Sequence, residues 1–339
     1  MPPSLTQPPS GASPRISKMR SMRYRNLGDS GLLVSVVGLG CNNFGGRLDV
    51  AGTRAVVDAA IDEGITLLDT AEMYGMNGGS ELALGEVLAG RRDKVVLATK
   101  FGHQQVDMGY GPAAGAKGGR NYIRVAVENS LRRLRTDYID LYQLHTPDPL
   151  TPIEETIAAL DELVSEGKVR YIGHSNLSGW RLADAAHKAA NAGRTPFISA
   201  QNHWSLLERG AEADVVPAAV HFGVGVLPYF PLANGLLTGK VRRGQDIPAG
   251  SRIAARSHLV TDEKLDKVEK LIAWGADRGV SILDIAIGGL AAQPGCASVI
   301  AGAMTPEQVK ANAAAGDWVP SAAELAEIDA IVPPPAPLR

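Results

Sequence analysis

Five apolar runs in the chain stop on groups that can do chemistry. They are Thr66-Leu-Leu-Asp69, Val95-Val-Leu-Ala-Thr-Lys100, Ile139-Asp-Leu-Tyr-Gln-Leu-His145, Arg170-Tyr-Ile-Gly-His-Ser-Asn176 and Ile198-Ser-Ala-Gln-Asn202. Side chains alternate across a strand, so Lys100 shares a face with Ala98 and Val96, and His145 with Gln143 and Leu141. A cation on such a face is costly unless paired, and Asp69 is the strand-end carboxylate able to pair it. Alone, that pair reads equally well as a structural ion bridge. Tyr74 changes the reading, because it follows Asp69 by five residues in Asp-Thr-Ala-Glu-Met-Tyr-Gly75. A phenol has an ordinary pKa near ~10, and an adjacent ammonium is expected to lower it. Tyr74 beside Lys100 is then a general acid for a carbonyl oxygen, with His145 donating a hydrogen bond to the same oxygen. Asp69 keeps Lys100 charged. No metal is expected, since the seven histidines show no ligand spacing. His103, His174, His187, His203, His221 and His258 read as surface or packing residues.

These groups need elements that bring them to one place. Apolar β-type runs alternate with helical stretches, which implies parallel βαβ units. Strands are expected at 36–39, 66–69, 95–99, 139–144, 169–173, 198–201, 224–228 and 297–300. Helices are expected at 54–63, 81–88, 124–134, 153–166 and 182–190. Eight strands make a (β/α)₈ barrel, in which the C-terminal strand ends share one mouth. An open doubly wound sheet is the alternative, but Gly38-Leu-Gly40-Cys-Asn-Asn-Phe-Gly45 lacks the G-x-G-x-x-G spacing of a dinucleotide fold. The segment 23–34 reads as a hairpin turning at Gly28-Asp-Ser-Gly31. Connections 101–120 and 231–261 are long enough to be lids or binding loops. A barrel glycosidase would need paired carboxylates flanking its bond, and Asp69 with Glu72 on one short loop does not supply them.

With these motifs in view, the chain resembles the aldo-keto reductase family from about Tyr24 to Ala315. The resemblance rests on Leu-Leu-Asp-Thr-Ala-Glu-Met-Tyr-Gly, Ala-Thr-Lys, Asp-Leu-Tyr-Gln-Leu-His, Gly-His-Ser-Asn, Gln-Asn-His-Trp-Ser-Leu-Leu, Pro-Leu-Ala-Asn-Gly-Leu-Leu-Thr-Gly-Lys and Ile-Ala-Gly-Ala-Met-Thr-Pro-Glu-Gln, in the family's order. It implies a (β/α)₈ barrel closed at its bottom by an N-terminal hairpin. It also implies Tyr74 as acid, Asp69 and Lys100 tuning it, His145 orienting the carbonyl, and NADPH delivering a hydride to an aldehyde or ketone. Position by position, it assigns Ser175, Asn176 and Gln201 to the nicotinamide carboxamide and Trp204 to stacking under the ring. Phe230, Pro231, Leu232, Gly235, Lys240 and Arg252 match the loop over the pyrophosphate, and Gly302, Thr305, Gln308 and Asn312 the adenosine end. Two positions depart from the family's pattern. Phe230 stands where many relatives carry Ser, and Met304 where relatives often carry a charged or hydroxyl group at the 2′-phosphate. NADH is therefore the alternative cofactor. Some family members act as potassium-channel β subunits, so a regulatory role is the alternative function.

Composition narrows the partners. A formal net charge of −2, with Lys and Arg spread along the chain, offers no basic face for nucleic acid. Cys41 and Cys296 have neither metal nor disulfide-framework spacing, which suits a reducing cytoplasm. Residues 1–21 are expected to be a disordered leader with no apolar run for export or membrane insertion. The remainder, 22–339, is expected to be one domain, monomeric by default, with a Pro-rich tail from 332 to 339.

Overall fold

A computed structural model describes residues 22–336, so the expected leader at 1–21 and the last three residues of the tail lie outside the described residues. The described residues open on an antiparallel hairpin of β1 (Tyr24–Asn26) and β2 (Leu33–Ser35). Eight parallel strands follow: β3 (Val37–Gly40), β4 (Leu67–Asp69), β5 (Val96–Phe101), β6 (Ile139–Leu144), β7 (Val169–Ser175), β8 (Phe197–Gln201), β9 (Gly225–Val226) and β10 (Val299–Gly302). They pair in sequence order from β3 to β9, and β10 pairs with β3. A parallel bridge between Val226 and Cys296, just before β10, joins the two free edges. The sheet is thus a (β/α)₈ barrel.

The helices of the outer layer are α1 (Val50–Asp62), α2 (Tyr74–Val87), α3 (Arg120–Leu134), α4 (Ile153–Ser165), α5 (Gly179–Asn191), α6 (Val215–His221), α7 (Asp262–Ala276), α8 (Ile282–Ala291), α9 (Pro306–Ala315) and α10 (Ala322–Ile331). Their caps follow the sequence: Thr261 and Ser281 accept hydrogen bonds from the amides three residues on. Strand parity divides the core in two. Leu97, Leu68 and Leu144 point outward and pack with helical residues, whereas Ala98, Leu141, Leu67 and Ile300 fill the barrel's lower interior with Leu27 and Val34. Leu27 enters from the hairpin, so the hairpin plugs the end opposite the mouth. Gly28 shows how closely it docks: its φ is +59°, and a Cβ there would lie 2.3 Å from the Gly223 carbonyl oxygen.

Helix α2 does not begin as a regular helix. Gly75, Met76, Asn77 and Gly78 all have positive φ, so the chain turns left-handed immediately after Tyr74 before the ordinary helix starts. Sequence periodicity begins only at Glu81 for that reason.

Candidate active site

Strands β4, β5 and β6 deliver the proposed catalytic group to the C-terminal mouth. Lys100 Nζ lies 2.7 Å from Asp69 Oδ2, 2.8 Å from the Thr70 carbonyl oxygen and 3.4 Å from the Tyr74 hydroxyl. Lys100 has no exposed surface and Asp69 is 3 % exposed. Burial opposes the ammonium charge, but Asp69 and Tyr74 carry Lys100 above its ordinary value. Asp69 Oδ1 in turn accepts from Gln201 Nε2 at 2.9 Å and Gln143 Nε2 at 3.4 Å. The carboxylate is therefore engaged on both oxygens and cannot turn away from Lys100.

Tyr74 is half-buried, and here a sequence expectation is corrected. Lys100 does pull the phenol downward, yet burial is the larger effect and holds Tyr74 above its ordinary value. At neutral pH the phenol keeps its proton. His145 stands edge-on to Tyr74, with ring centroids 5.8 Å apart. Burial, with the charges of Lys100 and His103, holds His145 well below its ordinary value, so its imidazole is neutral and can donate only one N–H.

His103, expected to be a surface or packing residue, packs edge-on against His145 at 4.7 Å. It sits at the start of the 102–119 connection. Lys117 Nζ gathers the carbonyls of His103, Gln104 and Val106 at 2.6–3.0 Å, which braces that turn beside the mouth. Sequence spacing could not reveal this, because the contact depends on how the loop folds back.

The residues assigned to the nicotinamide form one network. Ser175 Oγ donates to the Gln201 carbonyl at 2.8 Å, and Asn176 Nδ2 donates to Ser175 Oγ at 2.9 Å and to the His145 carbonyl at 3.0 Å. Asn176 Oδ1 accepts from the Tyr229 hydroxyl at 2.8 Å. Gln201 Nε2 gives one hydrogen to Asp69, which leaves that side chain its oxygen and a second N–H for a bound carboxamide. Trp204 is a correction. It is fully buried, and its indole N–H donates to Glu212 at 2.8 Å, so neither face of the ring is open to a stacking partner. Tyr229 is a half-exposed ring beside this network, tied to Asn176 and stacked on His203 at 5.4 Å. The run Pro228-Tyr-Phe-Pro231 carries the signal, since it places an aromatic residue directly after the strand expected at 224–228.

The expected pyrophosphate loop is also only partly as read. Phe230, Ala233 and Asn234 have positive φ, as does Gly235, so the segment is held in a conformation few residues adopt freely. Arg252 donates to Asn42 at 2.9 Å and Asn43 at 3.1 Å, and its guanidinium lies 5.4 Å from the Phe230 ring centre. Arg256 approaches the same ring at 5.5 Å. With Arg47, these arginines line a cleft of about 570 Å³ in which no carboxylate takes part. Burial and the charges of Arg256 and Arg47 push Arg252 below its ordinary value, the condition of a cation cluster short of an anion. Arg47 lies far in sequence from the matched loop, and Arg256, though inside the 231–261 connection, falls at a position the matched motif does not cover. Lys240 is exposed and is not part of the cleft lining.

At the far end, Asn312 Nδ2 faces the Gly302 carbonyl at 3.5 Å, and Thr305 caps α9. Gln308 Oε1 accepts from the Met304 amide at 2.8 Å. Gly302, Thr305, Gln308 and Asn312 therefore lie together at the β10–α9 junction. Among the described residues, no group of three or more His, Cys, Asp or Glu could hold a metal ion, and no helix is long and apolar enough to cross a membrane.

A barrel whose mouth carries a Tyr, Lys, Asp and His group beside an arginine cleft matches a known family at the level of the whole sequence. The profile of the aldo/keto reductase family matches residues 36–333. A Bacillus subtilis protein named uncharacterized oxidoreductase YrpG is 39 % identical over 295 residues, covering 85 % of this chain and 89 % of its own. Aldo-keto reductase YhdN of the same organism is 35 % identical, covering 92 % of this chain and 94 % of its own. A probable voltage-gated potassium channel subunit beta of Oryza sativa is also 35 % identical, over 88 % and 92 %. The chain belongs to the aldo/keto reductase family, a family of NAD(P)H-dependent reductases.

Proposed function

We propose that the protein is an NADPH-dependent reductase of aldehydes or ketones, with Tyr74 as general acid. The observation that carries this reading is the Tyr74 hydroxyl within 3.4 Å of a buried Lys100 that is itself fixed by Asp69. Tyr74 holds its proton until a carbonyl oxygen gathers negative charge at the mouth, and then gives it up. Lys100 stabilises the phenolate left behind and Asp69 holds Lys100 in place. Neutral His145 donates to the same oxygen and sets its direction, while Asn176 fixes the His145 backbone from behind. When bound, a reduced nicotinamide supplies the hydride. Ser175, Asn176, Gln201 and the open ring of Tyr229 would hold its head. Phe230, Pro231, Leu232 and Gly235 would follow its middle. Arg252, with Arg47 and Arg256, would take its phosphates, and Gly302, Thr305, Gln308 and Asn312 its adenosine. Lys240 would approach only as an outer cation.

NADPH is favoured over NADH because three arginines line a cleft without a carboxylate, which offsets the uncharged Met304. We assign residues 22–339 to one functional unit, acting as a cytoplasmic monomer on small carbonyl compounds. The test is loss of absorbance at 340 nm over a panel of aldehydes, ketones and quinones with each cofactor. Turnover that disappears in Tyr74→Phe supports the reading, and full activity in that variant sinks it. The relative named as a potassium channel subunit favours one second reading, a cofactor-binding regulatory subunit. NADPH binding without turnover on any member of the panel would turn the balance toward it.

A further inference from the structure

Glu72 lies two residues before Tyr74 and is fully buried, yet among the described residues no cation pairs with it. Its carboxylate is instead a meeting point of three donors. Oε1 accepts from the Gly102 amide at 2.7 Å and the Tyr122 hydroxyl at 2.9 Å, and Oε2 accepts from the Tyr110 hydroxyl at 3.0 Å. The Glu72 amide also donates to the Lys100 carbonyl at 2.9 Å. These partners are not scattered. Gly102 begins the connection that carries His103, Tyr110 lies in its middle, and Tyr122 stands in the first turn of α3 that ends it. One residue therefore ties the segment bearing the acid, through its amide, to the end of the Lys100 strand and, through its side chain, to two points of the loop beside the mouth and to the helix that follows it. Asn77, in the left-handed turn after Tyr74, reaches the same loop at the Asp107 carbonyl, 3.3 Å away.

We propose that Glu72 is a positioning residue: it sets the approach of Tyr74 to Lys100 and fastens the 102–119 loop over the substrate. The physical case is one of geometry and desolvation. Burial pushes the Glu72 carboxyl above its ordinary range while its three hydrogen bonds pull it back, so the carboxylate is tolerated only as long as all three donors stay in place. The loop is bound by the same condition. The role rests on the reductase reading in its first half and is independent of it in its second.

The test uses the full chain and three variants. Glu72→Ala is expected to lower kcat on the order of 100-fold, the scale of a misplaced catalytic group. It should also move the alkaline limb of the kcat profile upward, because a Tyr74 released from Lys100 loses its proton less readily. Glu72→Gln should restore most of the activity: its oxygen can stay on the Gly102 amide, and the Tyr110 hydroxyl can rotate to accept from the new NH₂. Tyr110→Phe should raise KM about 3- to 10-fold with kcat unchanged, the effect of one lost hydrogen bond in the loop. Amide exchange in 102–110 should quicken at least tenfold in Glu72→Ala and hardly at all in Glu72→Gln. Unchanged kcat, alkaline limb and loop exchange in a folded Glu72→Ala would overturn the proposal. If that variant does not fold, unchanged KM and loop exchange in Tyr110→Phe overturn it instead. A wild-type protein inactive on every carbonyl would sink the reductase reading, while the exchange measurements would still decide whether Glu72 fastens the loop.

Discussion

The barrel mouth holds two polar regions built on opposite principles. Asp69 and Lys100 stand buried at strand ends, with half-buried Tyr74 just beyond, and each charged atom is already matched by a partner. The arginine cleft is made by loops from residues 42–47 and 250–256, partly exposed, with like charges gathered around one phenylalanine ring. The first arrangement suits a group that must be in register before substrate arrives. The second suits one that gains its counter-charge only on binding. The contacts that span the cleft are correspondingly few: Arg47 to the Gly250 carbonyl at 2.8 Å, and Arg252 to Asn42 and Asn43.

The largest effect should come from breaking the first region. Tyr74→Phe removes the acid and leaves its ring, so kcat should fall about 10²- to 10⁴-fold. Cofactor affinity, measured by fluorescence titration, should stay near the wild-type value. Loss of both would mean that the two regions are one site energetically. Next in size is Lys100→Met, which strands the Asp69 carboxylate in the barrel interior. Removing one partner of a buried pair costs about 3–5 kcal/mol, visible as a lower urea midpoint. The double variant Lys100→Met/Asp69→Asn should recover part of that stability and none of the activity. Recovery of activity would show that the ion pair acts only in folding.

The second region predicts a smaller, different signature. Arg252→Ala and Arg256→Ala should each weaken NADPH binding about 10-fold, the scale of a lost charge-assisted hydrogen bond. NADH binding should weaken less in at least one of them, and the affinity of the wild type should fall as salt rises. Equal losses for both cofactors in both variants would remove these arginines from discrimination at the 2′ position.

The same contrast decides what could be read from the chain alone. Strand-end groups were legible because alternation fixes which side chains share a face, and Lys100, Ala98, Gln143 and Leu141 all fall on the inner face. Arg47, Arg256 and His103 reach their places through loops whose paths no local periodicity records. Trp204 misled because an aromatic residue after a strand can point either to the mouth or beneath the loop, and Glu212 draws its indole N–H inward. Tyr74 misled in degree: the ammonium was visible in the sequence, but the amount of burial opposing it was not.

A last prediction separates acid loss of chemistry from acid loss of fold, and it uses a histidine outside both regions. His174 is on β7 but faces the outer layer, edge-on to Phe197 at 5.3 Å, and neither ring nitrogen has a hydrogen-bond partner. Burial lowers its pKa to about 3, whereas in the unfolded chain it titrates near ~6.5. Between those values the unfolded state binds the extra proton, so stability falls as pH drops, by about 1.4 kcal/mol per unit for this group. His145 contributes loss of the same sign from its own depressed pKa. His103 and His203 are shifted in the same direction, so His174→Leu removes one of these contributions and an unsatisfied buried N–H. Its urea midpoint should therefore drop less between pH 7 and pH 5 than that of the wild type, with kcat at pH 7 unchanged. A wild-type acid slope in that variant would mean that His174 gains a partner in solution. Any remaining loss of activity at pH 5 in the stabilised protein would then belong to the mouth rather than to unfolding.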